Sequence, residues 1–378
     1  MKKIFFEISG WLKERPWKSF LIFISLSIFI LFLPKWLTEE SYYPILINKW
    51  TAQMGDTFGV IMGPFVALLA AFITFMAFWV QFKANQQIRN DTKIERFENK
   101  FYEMLRIHID NVNSIEIANK HKGRKAFVKM FEELRFIYSV LKKIDKKYKL
   151  VDQIKDKEKK KHEKYIKIAY HHMFFGIDYE SKQCNNEMGN QYFKVSEILS
   201  SKLTRYQKKF LKCKKRIVEK YTYNHNGKHT KTFEPDYYPF DGHVSKLGHL
   251  YRHLYHMIKF VVRTDWLEWR QKYGYLKMLR GQLSNHEQAI MFFNIIWIEE
   301  DKWWKDSKSK GEQSYLLDYA ILKNLPFNLT EQLGPDPKSY FLKKIEEVKR
   351  FKGYSKSEKE FGEFDDDQKL QWLFEWNN

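Results

Sequence analysis

Apolar residues are concentrated in two stretches near the beginning of the chain. The first is an uninterrupted apolar run from Ser19 to Leu33. Its fifteen residues make about 22 Å of helix, which is shorter than a hydrocarbon core of about 30 Å. Tryptophan and lysine side chains that can reach the interface stand on both flanks, namely Trp17, Lys18, Lys35 and Trp36. The pattern predicts a first transmembrane helix over residues 19–37.

The second stretch, from Thr57 to Phe82, holds 26 residues without a formal charge and is long enough for a tilted membrane span. It predicts a second transmembrane helix over residues 57–82. A small residue recurs at every fourth position, at Gly55, Gly59, Gly63, Ala67 and Ala71. Such a stripe predicts close helix packing, either against a second copy of the same span or against the first span. A water-filled pore is disfavoured, because the span has no polar row.

Lysine and arginine predict the topology of the two spans. Five of these residues lie in residues 1–18, two in residues 34–57 and five in residues 83–100. Because cytoplasmic flanks carry the excess of positive charge, both termini are expected in the cytoplasm of a bacterial cell, with residues 38–56 as a short external loop. A secretory signal is the alternative, but no small-x-small cleavage site follows the first run.

The rest of the chain has mainly helical spacing, and alternating strand patterns are scarce. Residues 83–120 are predicted to continue the second span as a stalk helix, and residues 121–351 to form a helical cytoplasmic domain. The tail, residues 352–378, is acidic and aromatic, and is expected either to fold back on the body or to dock a partner. The predicted fold class is all-α: a two-helix transmembrane hairpin followed by a helical cytoplasmic domain.

Charge distinguishes the two parts of the chain. Of the formal net charge of +20, residues 1–82 carry +2, from seven Lys and Arg against five Asp and Glu, and residues 83–378 carry +18. This positive charge can attract either anionic lipid or nucleic acid, and it does not distinguish between the two. The lysine-rich segment 142–165 is read as a solvated helix or loop, with a phosphate-binding surface as the alternative. The two cysteines, Cys184 and Cys213, fit a reducing compartment.

The segment 242–262 carries two sets of polar candidates on one predicted helix. His249, His253 and His256 share a face that could present imidazoles to zinc, although no carboxylate accompanies them. Arg252, Lys259 and Arg263 are the candidates for binding an anion or a partner. The more economical interpretation of the histidines is a polar helix face, and no metal or other cofactor is expected.

The stretch "LRGQLSNHEQ" predicts the start of a helix. Ser284 stands three residues before Glu287, the spacing of a capping box. The same stretch places Arg280 six positions before His286, which looks like the spacing of HEPN-type ribonucleases. That resemblance implies an arginine that stabilises a phosphorane and a histidine that serves as acid or base. Gly281 departs from the motif, where a polar residue is usual.

Four blocks in order resemble the putative phage abortive infection protein family of bacteria, whose members have two N-terminal membrane spans. They are "RFENKFYEMLRIHIDNVNSI", "FDGHVSKLGHLYRHLYHMIKFV", "YLKMLRGQLSNHEQAIMFFN" and "YLLDYAILKNLP". The resemblance covers the layout of residues 15–330. It implies antiviral defence, in which an infected cell is halted before phage progeny mature, and it implies no catalytic residues.

The function expected from the sequence is therefore a membrane-anchored anti-phage protein. Its basic domain would sense or bind an infection-linked component, a phage component or RNA, and the protein would oligomerise through the second span. Two alternatives remain: a tethered ribonuclease using Arg280 and His286, and a non-enzymatic scaffold on the lipid of the inner membrane. An enzyme is the less favoured class.

Overall fold

The computed structural model describes a large part of the chain. The described residues are 49–149, 151, 161–177, 190–213, 219–222, 230–297, 303, 314–334, 336–348 and 365–375, with residues 25, 28, 29 and 32 as isolated helical positions. The predicted N-terminal segment 1–18, nearly all of the first span and most of the external loop lie outside them. The chain divides into two units, residues 1–96 and residues 97–378.

Helix α1, Lys49–Ser114, is 66 residues long and contains the predicted second span. It is long and apolar enough to cross a membrane, and its apolar window is not buried at all. Val60 and Leu68 are 77% and 73% exposed. It is the one helix of this kind among the described residues, so the hairpin with a first span stays a prediction. The helix ends at Ser114, inside the predicted stalk.

Two hydroxyls in the apolar part of α1 bond to their own helix. The Thr57 hydroxyl donates to the carbonyl of Gln53 at 2.7 Å, and the Thr74 hydroxyl donates to the carbonyl of Ala70 at 2.8 Å. Pro64 lies inside the helix and supplies no backbone N–H. Hydroxyls satisfied within their own turn suit a helix that has no water to bond with.

The second unit is mainly helical, in agreement with the all-α prediction. After the last turns of α1 it contains β1 (Glu116–Ile117), β2 (His121–Lys122), α2 (Arg124–Tyr148), α3 (Lys161–Phe175), α4 (Asn190–Cys213), β3 (Glu219–Thr222), β4 (Thr230–Phe233), α5 (Val244–Val262), α6 (Trp269–Arg280), α7 (Asn285–Trp297), α8 (Tyr315–Asp318), α9 (Phe327–Thr330), a 3-10 turn (Glu331–Leu333), α10 (Pro337–Val348) and α11 (Asp366–Leu373). The strands form two antiparallel hairpins, with Glu116 opposite Lys122 in the first and Glu219 opposite Phe233 in the second.

Helix α2 runs through the hydrophobic core. Its apolar positions recur at helical spacing, and Phe127, Met130, Phe131 and Leu134 are fully buried. The helix ends at Tyr148 and is capped by Lys149, whose left-handed conformation (φ 53°) lets its N–H bond to the carbonyl of Asp145. Helices α3 and α7 pack against it. Helix α2 is therefore the central element of this unit, inside the stretch predicted to form a helical domain.

Two glycines join the end of α3 to the start of α5. A Cβ on Gly242, at φ 86°, would lie 2.6 Å from the backbone of Phe175, and one on Gly176, at φ 90°, would lie 2.8 Å from the carbonyl of Asp241. Only glycine fits such an approach in this conformation. The N–H of His243 donates to the carbonyl of Phe174 at 2.8 Å across this junction, which fixes the first turn of α5.

Part of the C-terminal tail folds back on the body, one of the two alternatives expected from the sequence. Helix α11 buries Leu370 and Leu373, and Phe374 follows it into the core. The ring of Phe374 lies 4.9 Å from that of Phe327 and 5.1 Å from that of Phe341, measured between centroids. Residues 365–375 thus complete the packing around α9 and α10.

Candidate functional site

The start of α7 is organised by a capping box, as the sequence predicted. The backbone N–H of Ser284 donates to the Glu287 carboxylate, and the N–H of Glu287 points back to the Ser284 hydroxyl at 3.4 Å. The reciprocal bonds satisfy donors that a helix start leaves open. They place His286 in the first turn of α7.

Arg280, the last residue of α6, is 4% exposed and holds the turn after α8. Its guanidinium donates to the carbonyl of Ala320 at 2.8 Å and to that of Tyr319 at 3.4 Å. The guanidinium also lies 5.4 Å from the centre of the Tyr273 ring. Ala320 has φ 46°, a conformation that needs support from its surroundings. These contacts give Arg280 a structural task.

His286 has different neighbours from Arg280. Its ring meets the Phe131 ring edge-on, with 5.6 Å between centroids. The charged groups that the described residues place near it are Arg135, Glu132 and Lys231. Burial and then Arg135 lower the pKa of His286, Glu132 opposes this, and Lys231 adds to it. The imidazole is therefore neutral at neutral pH, half-buried, and able to donate or accept a hydrogen bond. A joint catalytic role with Arg280 stays a prediction.

Beside this site lies a buried polar group at the N-terminal end of α5. The Tyr237 hydroxyl donates to the Glu133 carboxylate at 2.9 Å, and the second carboxylate oxygen lies 3.5 Å from Nε2 of His243. Burial and then Glu133 raise the pKa of Tyr237, so the phenol keeps its proton. All three side chains are buried, which suits a structural role in seating α5 on α2.

The three histidines of α5 do not meet as a group. His249 and His256 are exposed, whereas His253 is half-buried and stacks on His108 of α1 at 6.2 Å between centroids. Burial and then His253 lower the pKa of His108 to about 4. No cluster of three or more His, Cys, Asp or Glu side chains that could hold a metal ion occurs among the described residues.

The cations predicted on α5 lie along the helix. Arg252 is exposed and its Nε donates to the carbonyl of Gly248 at 3.4 Å. The Lys259 ammonium lies 5.6 Å from the centre of the Tyr255 ring. Arg263 follows the last turn, and its backbone N–H bonds to the carbonyl of Lys259 at 3.0 Å. Their predicted role in binding an anion or a partner is open to test.

No described residue packs on the glycines of the small-residue stripe of α1. A Cβ added to Gly55, Gly59 or Gly63 would meet nothing within 4 Å. Ala67 and Ala71 are exposed. The described residues therefore leave this seam open to another helix, either the first span or a second copy of α1.

Sequence reasoning missed Arg135, Glu132 and Lys231 as neighbours of His286. Arg135 follows Phe131 by one helical turn of α2, so the spacing could have predicted that its side chain lies near that ring. Lys231 lies on a short strand that the sequence did not predict, and nothing in the pattern pointed to it.

One comparison with known proteins gives a match. The model of a family described as "Putative phage abortive infection protein" matches residues 242–329, the part of the chain from the start of α5 into α9. No curated protein and no solved structure is significantly similar to the chain. The match agrees with the resemblance drawn from the sequence, over a shorter stretch.

Proposed function

We propose that this chain is a membrane-anchored protein of bacterial defence against phage, whose basic helical domain binds an infection-linked component and halts the infected cell. The observation that carries the proposal is the family match over residues 242–329. This segment forms α5 to α8 and buries Leu254, Met257, Leu279 and Phe293 in the core. It is an integral part of the folded unit.

The exposed apolar part of α1 supports the anchor. Large apolar side chains cover this part of the helix, and leaving them in water is unfavourable by about 25 cal/mol for each Å². A hydrocarbon environment removes that penalty, and the tryptophan and lysine at its end, Trp79 and Lys83, suit an interface. Lys83 lies 5.5 Å from the centre of the Trp79 ring. The first span and the inner-membrane topology rest on the sequence.

The test of the defence role is a plaque assay in cells that express the chain. We expect fewer plaques, and collapse of the culture without phage release at high multiplicity of infection. The triple variant Arg252→Gln, Lys259→Gln and Arg263→Gln should lose protection if α5 binds the infection-linked component. The matched control removes three charges from α4, at Lys208, Lys209 and Lys212. Equal loss in both variants, or no protection by the unmodified chain, contradicts the proposal.

A tethered ribonuclease is the second candidate. The observation that favours it is the half-buried, neutral His286 beside Arg135 and Lys231, since a neutral imidazole near cations suits acid–base chemistry on a phosphodiester. Total RNA from infected cells is the readout. Degraded RNA with the unmodified chain and intact RNA with His286→Ala would support this candidate. Full protection by His286→Ala removes it, and His249→Ala is the control because His249 is exposed on α5.

A further inference from the structure

Residues 365–375, the tail segment, place a tryptophan in an aromatic cluster of the second unit. The ring of Trp372 lies 5.9 Å from that of Trp269 and 5.3 Å from that of Tyr273, measured between centroids. The Lys323 ammonium lies 5.3 Å from the centre of the same indole. All four side chains are half-buried, so this contact is made at the surface of the unit and combines ring stacking with a cation.

Phe374 is the second aromatic contact of the tail segment. It follows α11 in an extended conformation (φ −133°, ψ 141°) and is 2% exposed. Its ring meets those of Phe327 and Phe341 edge-on, at 74° and 81° between the planes. The tail segment therefore has two aromatic anchors two positions apart, one at the surface and one closed off from water.

Hydrogen bonds at the end of the tail segment fix its direction and register. The backbone N–H of Glu375 donates to the carbonyl of Lys323 at 2.8 Å, and the Glu375 carboxylate accepts a hydrogen bond from the Asn324 amide. The indole N–H of Trp372 donates to the carbonyl of Leu317. Main-chain bonds combined with pockets for separate side chains are the usual means by which proteins recognise short peptides.

Helix α11 is too short to be stable alone. It has eight residues, whereas isolated helices shorter than about 12–15 residues are marginal in water. The Asp365 carboxylate caps its start by accepting from the N–H of Gln368 at 2.7 Å. Its outward positions are polar and mostly acidic, namely Asp365, Asp366, Asp367, Gln368 and Gln371. The tail segment is thus a short acidic peptide whose order depends on its anchors, and such a segment can open locally while the core stays folded.

The surface that receives the tail segment belongs mostly to the part of the chain that matches the family. Six of its residues lie within residues 242–329. We call them the tail-docking surface: Trp269, Tyr273, Leu317, Lys323, Asn324 and Phe327. They offer aromatic rings, two carbonyl acceptors, one amide donor and one ammonium, which together suit aromatic anchors that are followed by a carboxylate.

We propose that the tail-docking surface binds an acidic peptide of a partner protein, with tryptophan and phenylalanine two positions apart and a carboxylate next to them. The tail segment occupies the surface as a built-in competitor until such a peptide displaces it. The contacts that hold it are non-covalent and local, so a separate peptide of the same chemistry can make them as well. The inference is drawn from these contacts and does not depend on the role in phage defence.

The first test measures whether the surface accepts the segment as a separate molecule. The probe is a fluorescent synthetic peptide with the sequence of residues 365–375, and binding to the full chain in detergent is followed by anisotropy. We expect the double variant Trp372→Ala with Phe374→Ala to bind the peptide at least tenfold more tightly than the unmodified chain, because its own tail no longer competes. The control pair, Gln368→Ala with Gln371→Ala, is exposed on α11 and should bind like the unmodified chain.

Equal binding by the unmodified chain and both variants overturns the proposal, and so does a folded double variant that binds no peptide. Equally tight binding of a peptide with alanine at both aromatic positions also overturns it, because the anchors would then carry no recognition. The melting temperature shows whether the double variant is folded. Where it is not, the second test decides, since it uses the unmodified chain.

The second test locates the bound peptide by photo-cross-linking. The peptide carries benzoylphenylalanine at the position that corresponds to Phe374, and it is added to the unmodified chain in large excess to displace the tail. We expect mass spectrometry to find adducts on the fragments that contain Phe327 and Phe341, and an excess of unlabelled peptide to remove them. Adducts confined to other parts of the chain contradict the proposal. Cross-links between two unmodified chains that the double variant abolishes would assign the surface to the tail of a second copy and overturn the outside partner.

Discussion

The indole N–H of Trp372, in α11, donates a hydrogen bond to the backbone carbonyl of Leu317, in α8, at 2.9 Å. The two residues are 55 positions apart, and Leu317 lies inside the segment that matches the family. Next to this bond, the backbone N–H of Glu375 donates to the carbonyl of Lys323 at 2.8 Å. Residues 365–375 are therefore part of the folded unit that contains the matched segment.

Trp372→Ala should destabilise this unit by about 2 kcal/mol, less than for a fully buried tryptophan because the side chain is half-buried. The variant loses the bond to Leu317 and the ring contact with Tyr273, which lies 5.3 Å away between centroids. Urea unfolding in detergent, followed by tryptophan fluorescence, measures the change. Gln371→Ala is the control, since Gln371 is exposed on the same helix. Equal stability of the two variants would mean that the tail adds little to the fold.

Arg280→Met tests whether this arginine is structural or catalytic. The carbonyl of Ala320 loses its charged donor while it stays buried, and we expect a loss of about 2 kcal/mol in stability. Protection against phage should fall together with the melting temperature. Lys277→Met, at an exposed position of the same helix, should change neither. A variant that keeps the wild-type melting temperature but gives no protection would favour the catalytic role instead.

Acid should unfold this unit in part through His108. The unfolded chain takes up this proton below pH 6.5, whereas the folded chain takes it up only near pH 4, because burial lowers the pKa of His108. Stability is therefore full above pH 6.5 and falls as the pH drops from 6.5 to 4, by about 3 kcal/mol in all. His108→Leu should be less sensitive to pH in this window, as measured by melting temperature. Exposed His249→Leu should behave like the unmodified chain.

Two other buried histidines should leave the stability of His108→Leu partly dependent on pH. Burial and then His172 lower the pKa of His171 to about 3, and burial lowers that of His172 to about 4. The ring of His172 is hydrogen-bonded to the Ser196 hydroxyl at 2.8 Å. An unchanged pH profile of His108→Leu would place the acid sensitivity at this second pair.

Helical spacing predicted the elements whose packing is decided locally. The core face of α2 and the capped start of α7 can be predicted from the sequence, because each depends on residues within two turns of one another. Neither hairpin was predicted, because β1 and β2 have only two residues each and β3 and β4 only four, too short for a clear alternation.

The contacts between residues far apart in the sequence could not be predicted for this site. The sequence placed Arg280 near His286, whereas the structure gives Arg280 the carbonyls that follow α8 and gives His286 the side chains of α2 and β4. Both outcomes depend on partners more than 35 positions away, and spacing within one segment carries no information about them. Residues close in sequence at the end of one helix and the start of the next can point to different neighbours.

Leu68→Arg should prevent stable insertion of α1 into the membrane. Leu68 lies near the middle of the apolar stretch, where an arginine is unfavourable by about 3 kcal/mol. We expect the variant to be extracted by alkaline carbonate, while the unmodified chain stays in the pellet. Ile88→Arg is the matched control, because Ile88 is exposed on the same helix beyond the apolar stretch. Retention of Leu68→Arg in the pellet would show that the remainder of the chain suffices for anchoring.

Gly59→Leu with Gly63→Leu tests the predicted contact between α1 and the same helix of a second copy. A Cβ at either position meets no atom of the described residues within 4 Å, so we expect α1 itself to tolerate both substitutions. A helix packed on the stripe would be pushed away, since small residues permit the close approach of two backbones. Cross-linking in native membranes measures the effect. The control pair, Ile61→Leu with Phe65→Leu, lies about 200° around the helix from the glycines and should leave cross-linking intact. If both pairs cross-link as the unmodified chain does, the stripe is not the contact between subunits.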